Sequence, residues 1–453
     1  MTAGMDRGMT AGMDSVEVHL AEVLAAIRPL PPSPLGLEAA EGAVLAEDAV
    51  ALCALPSFDN SAMDGYAVHA SDVVGASPEA PVSLPVTDEI PAGDTRTLSV
   101  APGTCMRIMT GALMPGGADA VVPVEWTDGG RDRAVFSRPA PAGNAIRRLG
   151  GDVAEGEVLL TAGTRLGPAQ IGLLAAGGHG SVLARRPPRV AVLATGNELT
   201  EPGSPLAPGR IWDSNSYMLA AAVRQAGGVA ERCCVTDEPG LVLAEIERQA
   251  RLSDLLITSG GVSMGGEHDV VKAALSGGAG LGWARDRNTA VTFRKVAMQP
   301  GMPQGFGVAG PGRTPIFTLP GNPVSAFVSF HLFVRPAMDA LQGLGPARGP
   351  DGAQSPDATQ SPGATQSPGV LQNPGSRSLP TVRAALTASV RSPEGKRSHL
   401  RGLLDPSSGT VTPLTGQGSH QLGVLARANA LIVVPEKVVR MEAGDVADVM
   451  SLP

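Results

Sequence analysis

The sequence predicts a multidomain protein of mixed α/β and β class. It should contain a parallel α/β sheet domain, a β-rich domain, a small helical layer and a C-terminal β domain. Three observations predict this. From about Pro188, strand-like runs (RVAVLATG, DLLITSGG, TPIFTLPG) alternate with helical patterns, as in a parallel sheet covered on both faces. Between Ala51 and Asp152, short apolar runs alternate with Pro/Gly turns, which reads as all-β. A low-complexity run, QSPDATQSPGATQSPG, then sets off a last strand-rich stretch. The 453 residues also allow about three domains.

In chain order, residues 1–13 repeat TAGMD and are expected to form a disordered leader without the apolar segment of a secretory signal. Residues 14–50 and 153–185 make the helical linking domain. Asp14 and Glu17 resemble a capping box, and Val16, Leu20, Val23, Leu24 and Ile27 form an apolar stripe ended by RPLPPSP. LGLEAAEGAVLAEDAVA reads as a short helix entering a strand, and GPAQIGLLAAGGHG as a returning helix. Residues 51–152 form the β-rich domain, with APVSLPV, GTCMRIMTG, ADAVVPVEW and RAVFSRPA as its strands. Residues 186–343 form the α/β domain, with helices at NSYMLAAAVRQAGG and GLVLAEIERQARL and a long one at NPVSAFVSFHLFVRPAMDAL. Residues 344–379 are a linker whose composition cannot pack a core, and 380–453 the C-terminal β domain.

The formal charge of -8 argues against a general nucleic-acid surface, so any anionic substrate must be attracted by local groups. No apolar stretch is long enough to span a bilayer, and a cytoplasmic location is expected. The four cysteines show no C-x-x-C spacing, and Cys233-Cys234 reads as core.

Ligands of open parallel sheets bind at the carboxyl ends of the strands. Three such ends carry Gly196-Asn197-Glu198, the glycine loop from Gly260 to Gly265, and Pro320-Gly321-Asn322-Pro323-Val324-Ser325. Backbone amides in such turns suit phosphate groups. Neither a P-loop nor a dinucleotide fingerprint is present. Acids stand close by in sequence: Asp152 after Arg147 and Arg148, Glu198, and Glu267, His268 and Asp269. Carboxylates beside an anion pocket call for a bridging cation, and Mg²⁺ suits that task. Asp269, with Glu198 or Asp64, is therefore metal-linked, while Arg148, Lys295 and Ser325 are candidates for anion contacts. Asp59 and Asp64 share the polar turn SFDNSAMDGYAV.

That turn, with RIMTGALMPGGADAVVPVE, LATGNEL, SGGVSMG and LPGNPVSAF, resembles the molybdopterin molybdenumtransferase family, the MoeA-like enzymes that include the C-terminal domain of gephyrin. The similarity runs from about Asp14 to the C-terminus, excluding the linker. It implies insertion of molybdenum from molybdate into adenylylated molybdopterin, with release of AMP and a requirement for Mg²⁺. It implies an elongated homodimer of four-domain subunits, in which the α/β domain of one subunit faces the β domain of the other across a shared cleft. Asp64 matches an active-site aspartate expected to reach the partner's pocket. Asp152, Glu198 and Lys295 carry over as further catalytic residues, and Asp269 with Glu198 as metal ligands. Arg148, Thr110, Ser214, Gly260, Gly261, Ser263, Gly265, Pro320, Gly321, Asn322, Pro323, Ser325, Arg401 and Ser419 make up the substrate-binding set.

The chain departs from the family pattern in three places. GVSMGGEHD is one residue longer than usual, so Glu267 competes with Asp269 as ligand. Gln299 and Met302 stand where many relatives have lysine. The Ser/Pro/Gln linker is an insertion. A molybdopterin-adenylylating enzyme and molybdoenzyme apoproteins are the expected partners. The alternative is a pterin-binding dimeric scaffold with little or no turnover.

Overall fold

The structure, a computed structural model, describes residues 12–260, 270–276, 289–344 and 379–452. The chain forms two compact units: Met1–Ser33, Gly42–Val44 and Arg185–Pro453 in one, and Pro34–Glu41 with Leu45–Ala184 in the other.

The first helix, α1 (Val16–Ala26), belongs to the larger unit and is capped by Ser15, whose hydroxyl accepts from the Val18 N–H at 3.2 Å. The expected cap at Asp14 is one residue off. Asp14 is held in a bridge beside Val296 and its carboxylate pairs with Arg294 at 3.1 Å, so the next residue caps. Glu17 reaches Arg397 instead of the cap. The helix expected in LGLEAAEGAVLAEDAVA is absent. Leu37–Ala39 makes a single 3₁₀ turn, and short strands follow at Val44–Leu45 and Ala49–Val50. Gly42, at φ 73°, turns the chain out of any helical path.

In the smaller unit, β1 (Asn60–Ser61) leads into β2 (Gly65–Val68), followed by β3 (Val82–Ile90), β4 (Cys105–Ile108), β5 (Ala120–Pro123), β6 (Arg133–Phe136) and β7 (Ile146–Arg147). Their main sheet has the order β5-β2-β4-β3-β6. Tyr66 is buried in it, edge-on to Phe136, with its hydroxyl donating to the Gly130 carbonyl at 2.8 Å. The expected returning helix is α2 (Pro168–Ala176).

The α/β layer of the larger unit contains β8 (Arg189–Thr195), α3 (Asn215–Gln225), β9 (Val229–Val235), α4 (Pro239–Ala250), β10 (Leu255–Ser259), α5 (Val270–Ser276), β11 (Ala290–Lys295), β12 (Met298–Gln299), β13 (Pro303–Ala309), β14 (Thr314–Leu319), α6 (Pro323–Ser329) and α7 (Arg335–Leu341). The sheet order is β9-β8-β10-β14-β13-β11. Its first four strands are parallel, as the alternation of strands and helices predicts. The last three run antiparallel, because the short segments 296–302 and 310–313, the latter a tight turn through Gly310 and Arg313, leave no room for crossover helices between β11, β13 and β14. Cys233 and Cys234 lie on the edge strand β9; Cys233 is half-buried and packs against the core, as expected, but Cys234 is exposed. A π-helical turn at Phe330–Val334 joins α6 to α7 just before Pro336.

At the C-terminus, β15 (Thr381–Leu386), β16 (Arg397–Asp405), β17 (Thr410–Pro413), β18 (Ala430–Val434) and β19 (Val446–Ser451) pair in the order β16-β17-β15-β19-β18, and β18 pairs back onto β16. The strands close into a small barrel, which removes its sheet edges. β12 adds to this barrel in parallel, Met298 opposite Arg397 and Gln299 opposite Ser398.

Three histidines of the larger unit are buried: His19 edge-on to Phe333, His331 between Phe327 and Phe330, and His399 in β16. Burial pushes them down to about 4 for His19 and about 3 for His331 and His399, from an ordinary 6.5. Below pH 6.5 the unfolded chain takes up protons that these folded imidazoles refuse. Their contribution to stability is therefore complete above pH 6.5 and is lost as the pH falls towards 3 to 4. Denaturant titrations at pH 7.5 and pH 5 should show wild type losing about 2 kcal/mol more than His331→Leu across that interval. Parallel losses in the two proteins would remove His331 as a cause.

Candidate functional site

The carboxyl ends of β8, β10 and β14 lie together in the larger unit. Thr195 and Ser259, the last residues of β8 and β10, are buried. Gly260 follows at φ 97°, a conformation that favours glycine, and its N–H donates to the Leu319 carbonyl at 3.1 Å. A Cβ on Gly321 would stand 3.6 Å from the Gly260 Cα, so the two glycine turns touch. Asn215, the first residue of α3, reaches both. Its Nδ2 donates to Ser259 Oγ at 2.9 Å and to the Gly321 carbonyl at 2.6 Å.

The Pro320–Pro323 turn enters α6, with Asn322 at the N-cap, Pro323 in the first turn and Ser325 buried. The Val324 N–H donates to the Ser419 carbonyl at 3.0 Å and so joins this turn to the Gly416–Gln421 loop beside the barrel. The same loop holds Arg401 of β16. Arg401 is fully buried, its Nη2 donates to the carbonyls of Gly416 at 3.1 Å and Gly418 at 3.0 Å, and Nε and Nη1 have no hydrogen-bond partner among the described residues. Burial pulls this guanidinium below its usual pKa. A buried cation whose donors face no carboxylate is costly unless an anion completes it.

Glu198 is exposed after β8, and its carboxylate lies so close over Gly196 that a Cβ there would meet it at 2.6 Å. Asn197 is fixed by the Asp237 carboxylate, which accepts its N–H at 3.0 Å. Ser214 is exposed at the N-cap of α3, and Lys295 is exposed at the end of β11. Gly261, Ser263, Gly265, Glu267 and Asp269 lie outside the described residues.

Sequence reasoning missed Asp213. It is buried just before α3, accepts the Ser216 N–H at 3.0 Å and the Ser216 hydroxyl, and has Arg232 Nη2 at 3.7 Å. An acid three residues ahead of a serine at a helix start was the available signal. Among the described residues, no three His, Cys, Asp or Glu side chains form a metal cluster, and no helix is long and apolar enough to cross a membrane.

The smaller unit holds the other acids. In SFDNSAMDGYAV, the Ser61 hydroxyl donates to the Met63 carbonyl and the Asn60 amide to the Phe58 carbonyl, which shapes the bend. Asp64 is exposed, and its Oδ1 accepts from the Thr110 N–H and the Thr110 hydroxyl, both at 2.7 Å. These donors, the amide first, hold its carboxyl below the usual range. Thr110 is thus joined to Asp64, while Arg148 is paired with Asp59 at 2.6 Å. The Leu149 N–H and then Arg148 lower the Asp59 pKa. Asp152 is exposed, with its N–H donating to the Leu55 carbonyl at 2.9 Å.

Three family models match the chain: the MoeA N-terminal region (domain I and II) over residues 14–178, a probable molybdopterin binding domain over 191–340, and the MoeA C-terminal region (domain IV) over 383–452. Molybdopterin molybdenumtransferase 2 of Mycobacterium tuberculosis (strain ATCC 25618 / H37Rv) is 46% identical, covering 97% of this chain and 100% of its own length. Molybdopterin molybdenumtransferase 1 of the same strain is 36% identical, covering 97% and 99%. The crystal structure of the molybdopterin biosynthesis moeA protein from Pyrococcus horikoshii OT3 matches with a TM-score of 0.69 and 25% identity, covering 97% and 100%.

Proposed function

From a chain that belongs to the molybdopterin molybdenumtransferase family and so to molybdenum cofactor biosynthesis, we propose an enzyme that inserts molybdenum from molybdate into adenylylated molybdopterin and releases AMP. Buried Arg401 is the observation that carries this reading. Its free Nε and Nη1 donors are suited to a small oxyanion substrate such as molybdate, beside the loop that carries Ser419. The Gly260 and Val324 N–H groups already donate to the Leu319 and Ser419 carbonyls, so the amides that would face phosphate oxygens are those of the Gly321–Asn322 turn.

Glu198 is an exposed carboxylate at the strand end and fits Mg²⁺, which binds through one or two carboxylates together with substrate phosphates and water. When bound, the ion would neutralise phosphate charge; Asp269 is the further ligand the family resemblance offers. Asp64 stays ionised through its Thr110 donors and is a weak base, which suits accepting a hydrogen bond from an attacking water or a protonated oxygen, so orienting it, more than taking its proton. Asp152 and Lys295 complete the catalytic set, with Lys295 as a further cation for the anionic substrates. The enzyme is read as a cytoplasmic homodimer with a shared cleft, in which Asp64 serves the partner's pocket. It receives adenylylated pterin from the adenylylating enzyme and passes its product to molybdoenzyme apoproteins.

The test is a purified assay in which AMP is followed by chromatography with adenylylated molybdopterin as substrate. AMP release should need both molybdate and Mg²⁺. Pterin binding without any AMP release under those conditions would favour the scaffold reading instead.

A further inference from the structure

We propose that Asn215 is a positioning residue of this pocket, holding the ends of β10 and β14 at the spacing the substrate requires; the inference rests on the function proposed above. One carboxamide nitrogen bridges two strand ends, donating to Ser259 Oγ at 2.9 Å and to the Gly321 carbonyl at 2.6 Å. Ser259 is the last residue of β10, and Gly321 lies in the turn that follows β14. Gly321 already touches Gly260, and the Gly260 N–H already donates to the Leu319 carbonyl. Asn215 thus adds a side-chain link, through Ser259 Oγ and the Gly321 carbonyl, to the backbone contacts that Gly260 makes with Leu319 and Gly321.

A second observation sets Asn215 apart from an ordinary structural asparagine. Its Oδ1 is buried and has no hydrogen-bond partner among the described residues. A polar atom in that state lowers stability unless something donates to it. A ring N–H or amino group of a bound heterocycle is a donor of the right chemistry, and the adenylate and the pterin both carry such groups. The residue can therefore act on the loops through Nδ2 and gain a hydrogen bond at Oδ1 when substrate arrives.

The experiment compares the full-length wild type with Asn215→Ala and Asn215→Asp. The readouts are kcat and KM for the adenylylated pterin, calorimetric Kd for AMP alone, amide hydrogen exchange at residues 319–324, and Tm. Asn215→Ala should raise KM and the AMP Kd by about tenfold while kcat changes by no more than about threefold. Exchange at residues 319–324 should quicken in the unliganded protein, with little change in Tm. Asn215→Asp keeps volume and an oxygen acceptor but faces the Gly321 carbonyl with a second oxygen, so it should show the same loss of affinity without a packing defect. Unchanged KM, Kd and exchange in both variants, or losses that track Tm alone, would overturn the inference. If wild type binds AMP but never turns over, the functional reading fails and the Kd and exchange data still decide the role of Asn215. If wild type does not bind AMP, exchange alone decides it.

Discussion

Arg401→Ala is expected to lower kcat/KM for molybdate by about a hundredfold to a thousandfold. The guanidinium is fully buried and has no carboxylate partner among the described residues, so the substrate anion would be its first opposite charge. A buried charge pair broken on one side costs about 3–5 kcal/mol, which sets the size of the effect. Arg401 also has a structural duty, because Nη2 holds the Gly416 and Gly418 carbonyls. Arg401→Met keeps most of the packing volume and is the better control for folding. Arg401→Lys keeps the charge but loses the fork of donors and should fall between wild type and Ala. The decisive measurement is AMP release against molybdate concentration, alongside thermal denaturation. A folded Arg401→Met protein with the wild-type molybdate response would remove Arg401 from the anion site.

Asp64→Asn should slow AMP release by about a hundredfold or more, with Tm almost unchanged. The amide oxygen of asparagine can still accept the Thr110 N–H, so the turn survives; the negative charge does not. The contrasting variant is Thr110→Ala, which removes the hydroxyl donor but leaves the carboxylate and the backbone N–H in place. If Asp64 only caps the turn, the two variants should lose Tm together and lose little rate. If its charge serves the reaction, Asp64→Asn should be far slower than Thr110→Ala. Equal rates for Asp64→Asn and wild type would refute the catalytic role.

The parts of the fold that were legible in the sequence were those set by local periodicity. RVAVLATG, DLLITSGG and TPIFTLPG are strands because their apolar runs are buried on both faces, and each stops where Gly or Pro ends the pattern. The helices at NSYMLAAAVRQ and PGLVLAEIERQA follow from helical spacing of one buried face, as with Val242, Ile246, Gln249 and Ala250. Pairing direction was legible for the four parallel strands and not for the antiparallel ones. β11 and β13 carry no sign of their antiparallel partners; the short connections, 296–302 between β11 and β13 and 310–313 between β13 and β14, hold no crossover helix.

In the site, glycines and charged residues in recognisable turns stood out, as at Gly260, Gly321 and Asp64. Asp213 and Asn215 did not, because an Asp-Ser-Asn run at a helix start reads as ordinary capping chemistry. Their importance comes from long-range contacts: Asp213 faces Arg232 from the next strand, and Asn215 reaches two strand ends far along the chain. The loss of burial at Cys234 was likewise hidden, since a strand's position at the sheet edge is a property of the whole topology.

The barrel is stitched to the α/β layer by β12 beside β16, by Val324 to Ser419, and by Glu17 to Arg397. None of these joins uses the peptide between residues 344 and 379. A protease cut within that stretch would therefore sever the covalent string and leave the stitching intact. The two resulting fragments would travel as one particle, the second completing the first as in a split-protein pair.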